Sequence, residues 1–489
     1  MTRLMSVFRT AWHGRREVLR RRVSRSKPSP VAGVGPARDA SSFLRMVVVA
    51  AVAVAVTAAS PALGDMTGRS GPGTPGAAAK VTPKMNGHWV NTWVSMPQLT
   101  EPHNMPPAPF TQDGLVLADS TLRQTIHTSV GGRQMRLRFS NAFGGTALPI
   151  TRVSVALPAG GQAGVSAIKP GTSQAVTFHG RPSVVIPVGA QAVSDPLNFE
   201  LAPRSNLTVT VYLAEGQSSN EITSHPGSRT TSHMLTGDHT DDEDLPGAAS
   251  TAHWYFLSGL EVWSKHTTTA VAIVGDSLTD GRGSTTNMND RWPDQLLDRL
   301  QAHPGTTEIA ILNQAAGGNR VLNDGLGPNA LARLDRDVFA QSGVSWQIVF
   351  EGVNDLGTAE ATEAAQKKVA GDLIAAYDQM ILRAHALGIR VYGATLTPFG
   401  GNEAYDDAQG YREAARQEVN QWIRTSRRFD AVIDFDRAVR DPADPRRLAA
   451  AFDVGDHLHL NPTGYKALAD AVPARLFRYE PLPWGFGFQ

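Results

Sequence analysis

The chain has 489 residues, of which 41% are hydrophobic and 19% charged, a composition typical of globular proteins rather than of disordered or membrane-embedded ones. A chain of this length is expected to form two domains and a tail. Its 46 basic and 45 acidic residues nearly cancel, and much of the basic excess precedes Arg45, so we predict no nucleic-acid or polyanion partner. The absence of cysteine excludes disulfides, thiolate metal sites and a cysteine nucleophile.

A basic stretch followed by an apolar run predicts export. The run, residues 46–59, would reach only about 21 Å as a helix, short of the roughly 30 Å hydrocarbon layer of a membrane. Ala-Leu-Gly at 62–64 matches the small-x-small pattern of a signal-peptidase site. We therefore predict a basic n-region and signal peptide over 1–64, a secreted protein, and a flexible Gly/Pro-rich linker over 65–84. The alternative is an uncleaved anchor facing the outside, the one case in which we expect a membrane partner.

Residues 85–265 have the period-two pattern of β-strands. Met135, Leu137 and Phe139 alternate with polar residues, and the segment 207–213 repeats the alternation. Short strands at this spacing, separated by glycine, proline and asparagine, predict an antiparallel β-sandwich. We interpret this region as an all-β accessory domain.

Residues 266–489 alternate strand and helix patterns. The clearest helix pattern runs over 369–387, where Gly388 ends it, and a last helix is expected to begin after Asn461 as N-cap. Five β-α units in series predict an α/β domain with a parallel five-stranded sheet and helices on both faces. Reactive groups in such sheets collect just past the carboxyl ends of the strands. The predicted strands cover 270–274, 309–312, 347–350, 389–394 and 432–435.

Three of these strand ends carry candidate functional residues. Ser277 follows the first strand between glycines and could project its hydroxyl from the sheet edge, although Gly-Asp-Ser is also ordinary turn chemistry. Gly318, after the second strand, could offer a bare backbone N–H or simply belong to a loop. Asn354, after the third, could present a side-chain N–H or cap the following turn.

A fourth segment, near the C-terminus, carries histidines and aspartates. Asp456 and His459 are three residues apart, so one turn can bring the carboxylate to Nδ1 and leave Nε2 free to accept a proton. His457 and Asp453 are the rival histidine and carboxylate. A metal site is a further alternative, but the chain has no His-Glu-x-x-His helix, and we predict neither metal nor cofactor.

Together, these four segments resemble the SGNH (GDSL-type) hydrolase family, whose four motif blocks supply Ser, Gly, Asn and His. The resemblance covers roughly residues 267–478, and the whole chain resembles a secreted subgroup with a β-rich front region. The matching positions are Gly275-Asp276-Ser277-Leu278, Gly318, Gly352-Val353-Asn354-Asp355 and Asp456-His457-Leu458-His459.

The resemblance implies a flavodoxin-like three-layer fold and hydrolysis of acyl esters. It also implies the site roles: Ser277 as nucleophile, His459 rather than His457 as base, and Asp456 rather than Asp453 as its partner. The oxyanion hole would then comprise the Ser277 N–H, the Gly318 N–H and the Asn354 side chain.

The functional expectation is therefore a secreted serine esterase that releases short acyl groups, such as acetate, from an acylated polysaccharide or other small esters. One alternative is a lipase-like enzyme acting on longer acyl chains. A second is a glycan-binding protein whose hydrolase domain is a relic.

Some polar residues receive only secondary predictions. Asp276 and Asp355 are expected to orient loops, and Arg320 either reaches a polar leaving group or is solvated. The acidic loop 238–244 could hold calcium, but it lacks EF-hand spacing and glycine, so a solvated loop is the expectation.

Overall fold

The computed structural model describes residues 86–478, an antiparallel β-rich part followed by an α/β part. The predicted n-region and signal peptide (1–64) and linker (65–84) lie outside the described residues. Within the part that is described, no helix is both long enough and apolar enough to cross a membrane.

The β-rich part consists of short strands joined by turns. In chain order they are β1 (His88–Val94), β2 (Gln98–Leu99), β3 (Thr111–Gln112), β4 (Leu115–Val116), β5 (Ser120–His127), β6 (Gly132–Ser140), β7 (Leu148–Ile150), β8 (Arg152–Ala156), β9 (Gln174–Val176), β10 (Val184–Ile186), β11 (Gln191–Val193), β12 (Leu197–Leu201), β13 (Asn206–Leu213), β14 (Thr223–His225), β15 (Ser232–Thr236), β16 (Ala249–Thr251), β17 (Trp254–Tyr255) and β18 (Leu257–Ser264).

Two larger antiparallel sheets organise these strands. One has the order β1-β18-β6-β11, with β12 also paired to β6, and the other has the order β16-β15-β5-β13-β8-β9. Met135, Leu137 and Phe139 are fully buried, and they share one hydrophobic core with Val209 and Val211 of the other sheet. Two sheets facing a common core form a β-sandwich, so the predicted all-β region is confirmed.

The α/β part is built on a five-stranded parallel sheet of order β20-β19-β21-β22-β23. Its strands are β19 (Thr269–Gly275), β20 (Ile309–Ala315), β21 (Val344–Phe350), β22 (Arg390–Ala394) and β23 (Ala431–Ile433). The predicted parallel sheet is confirmed. The prediction for the last strand, 432–435, was wrong at its end, because Asp434 accepts a hydrogen bond from the Arg437 N–H and caps a helix that begins at Phe435.

Helices cover both faces of this sheet, as the sequence predicts. Successive residues of β19 point to opposite faces, so Val271 packs in one helical layer and Ala272 in the other. The first layer holds the helices Trp292–Gln301, Phe435–Val439 and Pro462–Ala471; the second holds Ala330–Leu334, Glu363–His385 and Tyr411–Thr425; the helices Ser277–Asp280 and Val353–Thr358 follow strand ends.

Two predicted helix ends can be compared with the structure. Asn461 is the N-cap of the last helix, as predicted, and its side chain accepts from the Gly464 N–H at 2.9 Å. The long helix ends at His385, so the prediction that Leu387 belongs to its apolar stripe was wrong. Leu387 lies beyond the helix with a relative exposure of 59%, ahead of Gly388 at φ 72°.

The β-rich and α/β parts pack directly against each other. Ala270, Ala310 and Leu312 of the parallel sheet belong to the same core cluster as the β-rich strands. The Ser129 hydroxyl bridges the outer edge of β20: it donates to the Ile311 carbonyl at 3.0 Å and accepts from the Ile311 N–H at 3.1 Å. The β-rich part thereby covers an edge strand that would otherwise expose unpaired backbone groups. The domain boundary at 265/266 falls between β18 and β19 and stays a prediction.

Replacing Ser129 by alanine is expected to lower the free energy of unfolding by about 1–3 kcal/mol, because two buried backbone groups of Ile311 would lose their partner. Urea denaturation of the purified protein measures this change. Ser173→Ala is the matched control, since the Ser173 hydroxyl has no hydrogen-bond partner among the described residues. Equal stability of the two variants would contradict the bridging role.

Candidate active site

Ser277 lies in the first turn after β19, the second strand in the order of the parallel sheet. Asp276 is the N-cap of the short helix Ser277–Asp280, and its carboxylate accepts from the Leu278 N–H at 2.9 Å. A side chain at Gly275 would lie 2.5 Å from the Thr279 hydroxyl, so the strand can turn this tightly only with glycine there. The turn leaves Ser277 with a relative exposure of 7%.

His459 connects this serine to a carboxylate. Its Nε2 lies 2.8 Å from the Ser277 Oγ, and its Nδ1 lies 2.7 Å from Asp456 Oδ2. The other Asp456 oxygen accepts from the N–H groups of Leu458 and His459. Burial opposes ionisation of Asp456, but the hydrogen bonds and charge of His459 outweigh it and hold its pKa well below the ordinary value. The carboxylate therefore keeps the Nδ1 hydrogen in place and leaves Nε2 to accept from the serine.

The rival residues form a separate pair. His457 Nδ1 lies 2.7 Å from Asp453 Oδ2, and the His457 side chain is 46% exposed. Asp453 also accepts from the N–H groups of Gly455 and His457, which holds His457 at a φ of 62°. The structure thus brings His459, and not His457, into contact with Ser277, and it places Asp456, and not Asp453, against His459.

The three candidate oxyanion donors border the same cavity as His459. Among residues 86–478, the backbone N–H groups of Ser277 and Gly318 have no hydrogen-bond partner. Asn354 donates one amide hydrogen to the Asn319 carbonyl at 2.8 Å. Its Oδ1 accepts from the Tyr405 hydroxyl at 2.7 Å, and burial raises the pKa of Tyr405 to about 12, so that hydroxyl remains a donor. These contacts fix the amide and leave its second hydrogen available.

Asn319, whose carbonyl accepts from the Asn354 amide, is itself held in place by Arg333. The sequence predicted no role for either residue. Arg333 donates to Asn319 Oδ1 through Nε at 3.1 Å and Nη2 at 2.9 Å, while Asn319 Nδ2 donates to the carbonyls of Leu326 and Pro328. Arg333 is itself buried. The position of the Asn354 amide therefore depends on a guanidinium inside the α/β part, which no local sequence signal identifies.

Buried carboxylates lie around the strand ends. Asp276 is fully buried, and burial, reinforced by the charges of Glu351 and Asp355, raises its pKa well above the ordinary value. Burial likewise raises the pKa of Glu351 to about 7, although Arg333 opposes the shift. Asp355 accepts from the N–H groups of Val321 and Leu322, both at 2.9 Å. Asp276 and Asp355 thus hold turns in place.

A histidine of the β-rich part, His225, also reaches this site, and sequence reasoning missed it. Its Nε2 lies 2.9 Å from Asp280 Oδ1, and Asp280 Oδ2 accepts from the Gly317 N–H at 2.9 Å. His225 Nδ1 faces the Met96 carbonyl at 3.0 Å, which only accepts, so Nδ1 carries a hydrogen. Gly227 permits this close approach, because a Cβ there would lie 1.7 Å from Asp280. No local signal could pair two residues so far apart in sequence.

The cavity in front of Ser277 has walls from both parts of the chain. Its volume is about 430 Å³, within the roughly 300–1,000 Å³ typical of small-molecule sites. From the β-rich part, the residues that line it include Gln98, Glu101, His103, Asn104 and Arg229.

Arg320 does not line this cavity. Its guanidinium donates to the Asp324 carbonyl and to the Thr358 hydroxyl, so it holds its own loop. The position of Arg320 therefore does not support the hypothesis that it contacts the leaving group of a substrate.

The acidic loop 238–244 pairs its carboxylates within the protein. Arg152 contacts Asp238 at 2.8 Å and Asp241 at 2.7 Å, and His239 lies 2.7 Å from Asp242. In the part of the chain that the structure describes, no group of three histidine or acidic side chains is arranged to hold a metal ion.

Comparison with known proteins places this α/β part in a class. Residues 273–467 match the model of the GDSL-like Lipase/Acylhydrolase family. This match, together with the parallel sheet and the serine that follows β19, defines the α/β part as an ester hydrolase. No match is found among curated proteins.

Several solved structures resemble about two fifths of the chain. An acetyl xylan esterase, AlAXEase, is 19% identical to this chain, with a TM-score of 0.32. The match covers 41% of this chain and 96% of the AlAXEase chain. A catalytic mutant of Axe2, an acetylxylan esterase from Geobacillus stearothermophilus, is 22% identical with coverages of 42% and 91% and a TM-score of 0.32. LAE5, an alpha/beta hydrolase enzyme from the metagenome of Lake Arreo, Spain, is 19% identical with coverages of 42% and 92% and a TM-score of 0.31.

Replacing His225 by phenylalanine is expected to loosen the Gly317 loop. The ring can still stack on Trp254, but Asp280 loses its buried hydrogen-bond partner on the β-rich part, and the loss of such a partner costs about 1–3 kcal/mol. Amide hydrogen exchange in peptides covering 313–319 should accelerate by about tenfold or more. His385→Gln removes a remote, half-exposed histidine–aspartate pair and should leave these peptides unchanged. Undiminished protection in the His225 variant would refute the connection.

Proposed function

We propose that this protein is a secreted serine esterase that releases short acyl groups, such as acetate, from carbohydrate or other small esters. The observation that carries the proposal is the chain of contacts from Ser277 Oγ to His459 Nε2 at 2.8 Å and from His459 Nδ1 to Asp456 at 2.7 Å. Ser277 and His459 line a cavity whose volume is suitable for an ester. Secretion rests on the sequence of residues 1–64.

Catalysis would begin with proton transfer from the Ser277 hydroxyl to His459 Nε2. The Ser277 oxygen attacks the ester carbonyl, and Asp456 stabilises the imidazolium that forms. His459 then gives its proton to the departing alcohol, which leaves an acyl-enzyme. Water, deprotonated by the same imidazole, attacks the acyl group and releases the acid.

The negative charge on the carbonyl oxygen would be stabilised by preorganised donors. The N–H groups of Ser277 and Gly318 are free of partners among the described residues, and Asn354 retains one amide hydrogen. Donors that are already oriented stabilise this charge without reorganisation during the reaction. The supporting bonds from Asn319 and Tyr405 explain why the Asn354 amide is held in one orientation.

The cavity wall favours a polar alcohol group on the substrate. Gln98, Glu101, His103 and Asn104 present hydrogen-bonding groups, which suit the hydroxyls of a carbohydrate. An acylated polysaccharide is therefore the substrate class that we propose.

One observation favours the alternative of longer acyl chains. Leu326 lines the cavity and has a relative exposure of 47%. An acyl chain that extended over Leu326 would bury apolar surface, which is favourable by about 25 cal/mol per Å². A lipase-like activity is thus the second candidate.

Alanine substitutions are expected to separate the catalytic roles. Ser277→Ala or His459→Ala should lower turnover by about 10⁶, whereas Asn354→Ala should lower it by about 10²–10³, because only one of three donors is lost. Steady-state hydrolysis of nitrophenyl acetate measures both effects. His457→Asn is the matched control for His459, since asparagine tolerates a positive φ, and it should keep near-normal turnover. Similar mild losses at all positions would reject the assignment.

The chain-length preference tests the substrate class. If short acyl groups are the substrate, kcat/KM should fall from nitrophenyl acetate to the octanoate, and acetate should be released from acetylated xylan. Leu326→Ala should lower kcat/KM for the octanoate more than for the acetate, because a longer acyl chain is expected to bury more apolar surface against that side chain. A higher kcat/KM for octanoate than for acetate would favour the lipase-like alternative.

A further inference from the structure

Arg229 lines the active-site cavity, and no described residue forms an ion pair or hydrogen bond with its guanidinium. It lies between β14 and β15 at a φ of 51°, and its carbonyl accepts from the Asn287 N–H at 2.9 Å. Among the described residues, its guanidinium forms no ion pair or hydrogen bond, and its Nε is shielded from solvent. A guanidinium that lines a binding cavity and has no partner among the described residues is a candidate contact for an anionic group on a ligand.

Arg282 is a second cation on the same cavity. Its backbone is fixed beside the nucleophile: its N–H donates to the Ser277 carbonyl at 2.9 Å, and its carbonyl accepts from the Tyr465 hydroxyl at 2.6 Å. Its side chain is exposed and, within residues 86–478, forms no ion pair. Two guanidinium groups therefore border the cavity with their donors unused.

The acids of the cavity are, by contrast, already occupied. Glu101 accepts from Gln98 Nε2 at 2.6 Å and from Asn104 Nδ2 at 3.0 Å. Asp280 is held by His225 and by the Gly317 N–H. The remaining titratable groups on the wall are His103, Tyr405 and the catalytic histidine. Glu101 keeps its charge because its donors are neutral amides, so two arginines without an ion pair among the described residues outnumber one such acid on this wall.

We propose that Arg229 and Arg282 bind a carboxylate on the substrate, so that the preferred ester carries an acid on its alcohol part. A guanidinium matches the planar carboxylate with paired donors. The inference rests on the proposed esterase activity and specifies its substrate class. An acylated carbohydrate bearing a uronate-type carboxylate has both required groups.

A matched pair of acetate esters tests this preference. Para-acetoxybenzoate and para-acetoxybenzamide have nearly the same shape and leaving group, but only the first carries a negative charge. The wild-type enzyme should show a kcat/KM about tenfold higher for the benzoate, as expected for one charged hydrogen-bonded contact. Arg229→Gln and Arg282→Gln should each reduce the ratio, and the double variant should bring it within about twofold of unity.

Arg181→Gln is the control for net charge, because Arg181 is exposed in the β-rich part and does not line the cavity. This variant should keep the wild-type ratio. A wild-type ratio at or below unity, or a ratio that both cavity variants leave unchanged, would overturn the proposal. Arg282 is on the surface, so its variant provides a readout even if Arg229→Gln does not fold.

Ligand binding to the Ser277→Ala variant separates this proposal from the esterase function. Titration calorimetry should show tighter binding of para-acetoxybenzoate than of the amide, whether or not the wild-type enzyme hydrolyses either ester. Preferential binding without hydrolysis would reject the proposed function and keep the anion site. Hydrolysis of both esters with equal binding would keep the proposed esterase function and reject the anion site.

Discussion

The site depends on the register of β19 with the strands on its two sides. Gly275 at the end of β19 lies opposite Ala315 of β20 on one side and opposite Phe350 of β21 on the other. The loops that carry Ser277, Gly318 and Asn354 therefore begin at the same level on three adjacent strands. Strands β20 and β21 lie on opposite sides of β19. The loops that follow these three strands therefore meet in a crevice at the carboxyl end of β19.

The β-rich part takes part in this crevice as well as covering the sheet edge. His225 reaches Asp280, and Asp280 holds the Gly317 N–H, so the loop that presents Gly318 is positioned by both parts of the chain. Gly227 allows the approach because no side chain fits between it and Asp280. This dependence explains how the β-rich part can influence the position of Gly318, one of the candidate oxyanion donors.

The sequence predicted what depends on local pattern. Alternation of apolar residues identifies the buried face of β6, and the three-residue spacing of Asp456 and His459 permits their contact. Long-range contacts have no such signal: nothing near His225 indicates Asp280, and nothing near Arg333 indicates Asn319. The two errors in element ends, at Leu387 and at residues 434–435, both arise where a cap replaced the continuing pattern. Patterns therefore predict elements better than their ends or partners.

Net charge and local charge lead to different conclusions about partners. The 46 basic and 45 acidic residues almost cancel, which argued against a nucleic-acid or polyanion partner. That balance is an average, whereas binding depends on which charges remain unpaired at one surface. Around the cavity, Asp280 lies against His225 and Glu101 accepts from neutral amides, while Arg229 and Arg282 form no ion pair among residues 86–478. A chain with nearly balanced charges can therefore have a locally cationic surface, and this is the surface to which we assign the carboxylate of the substrate.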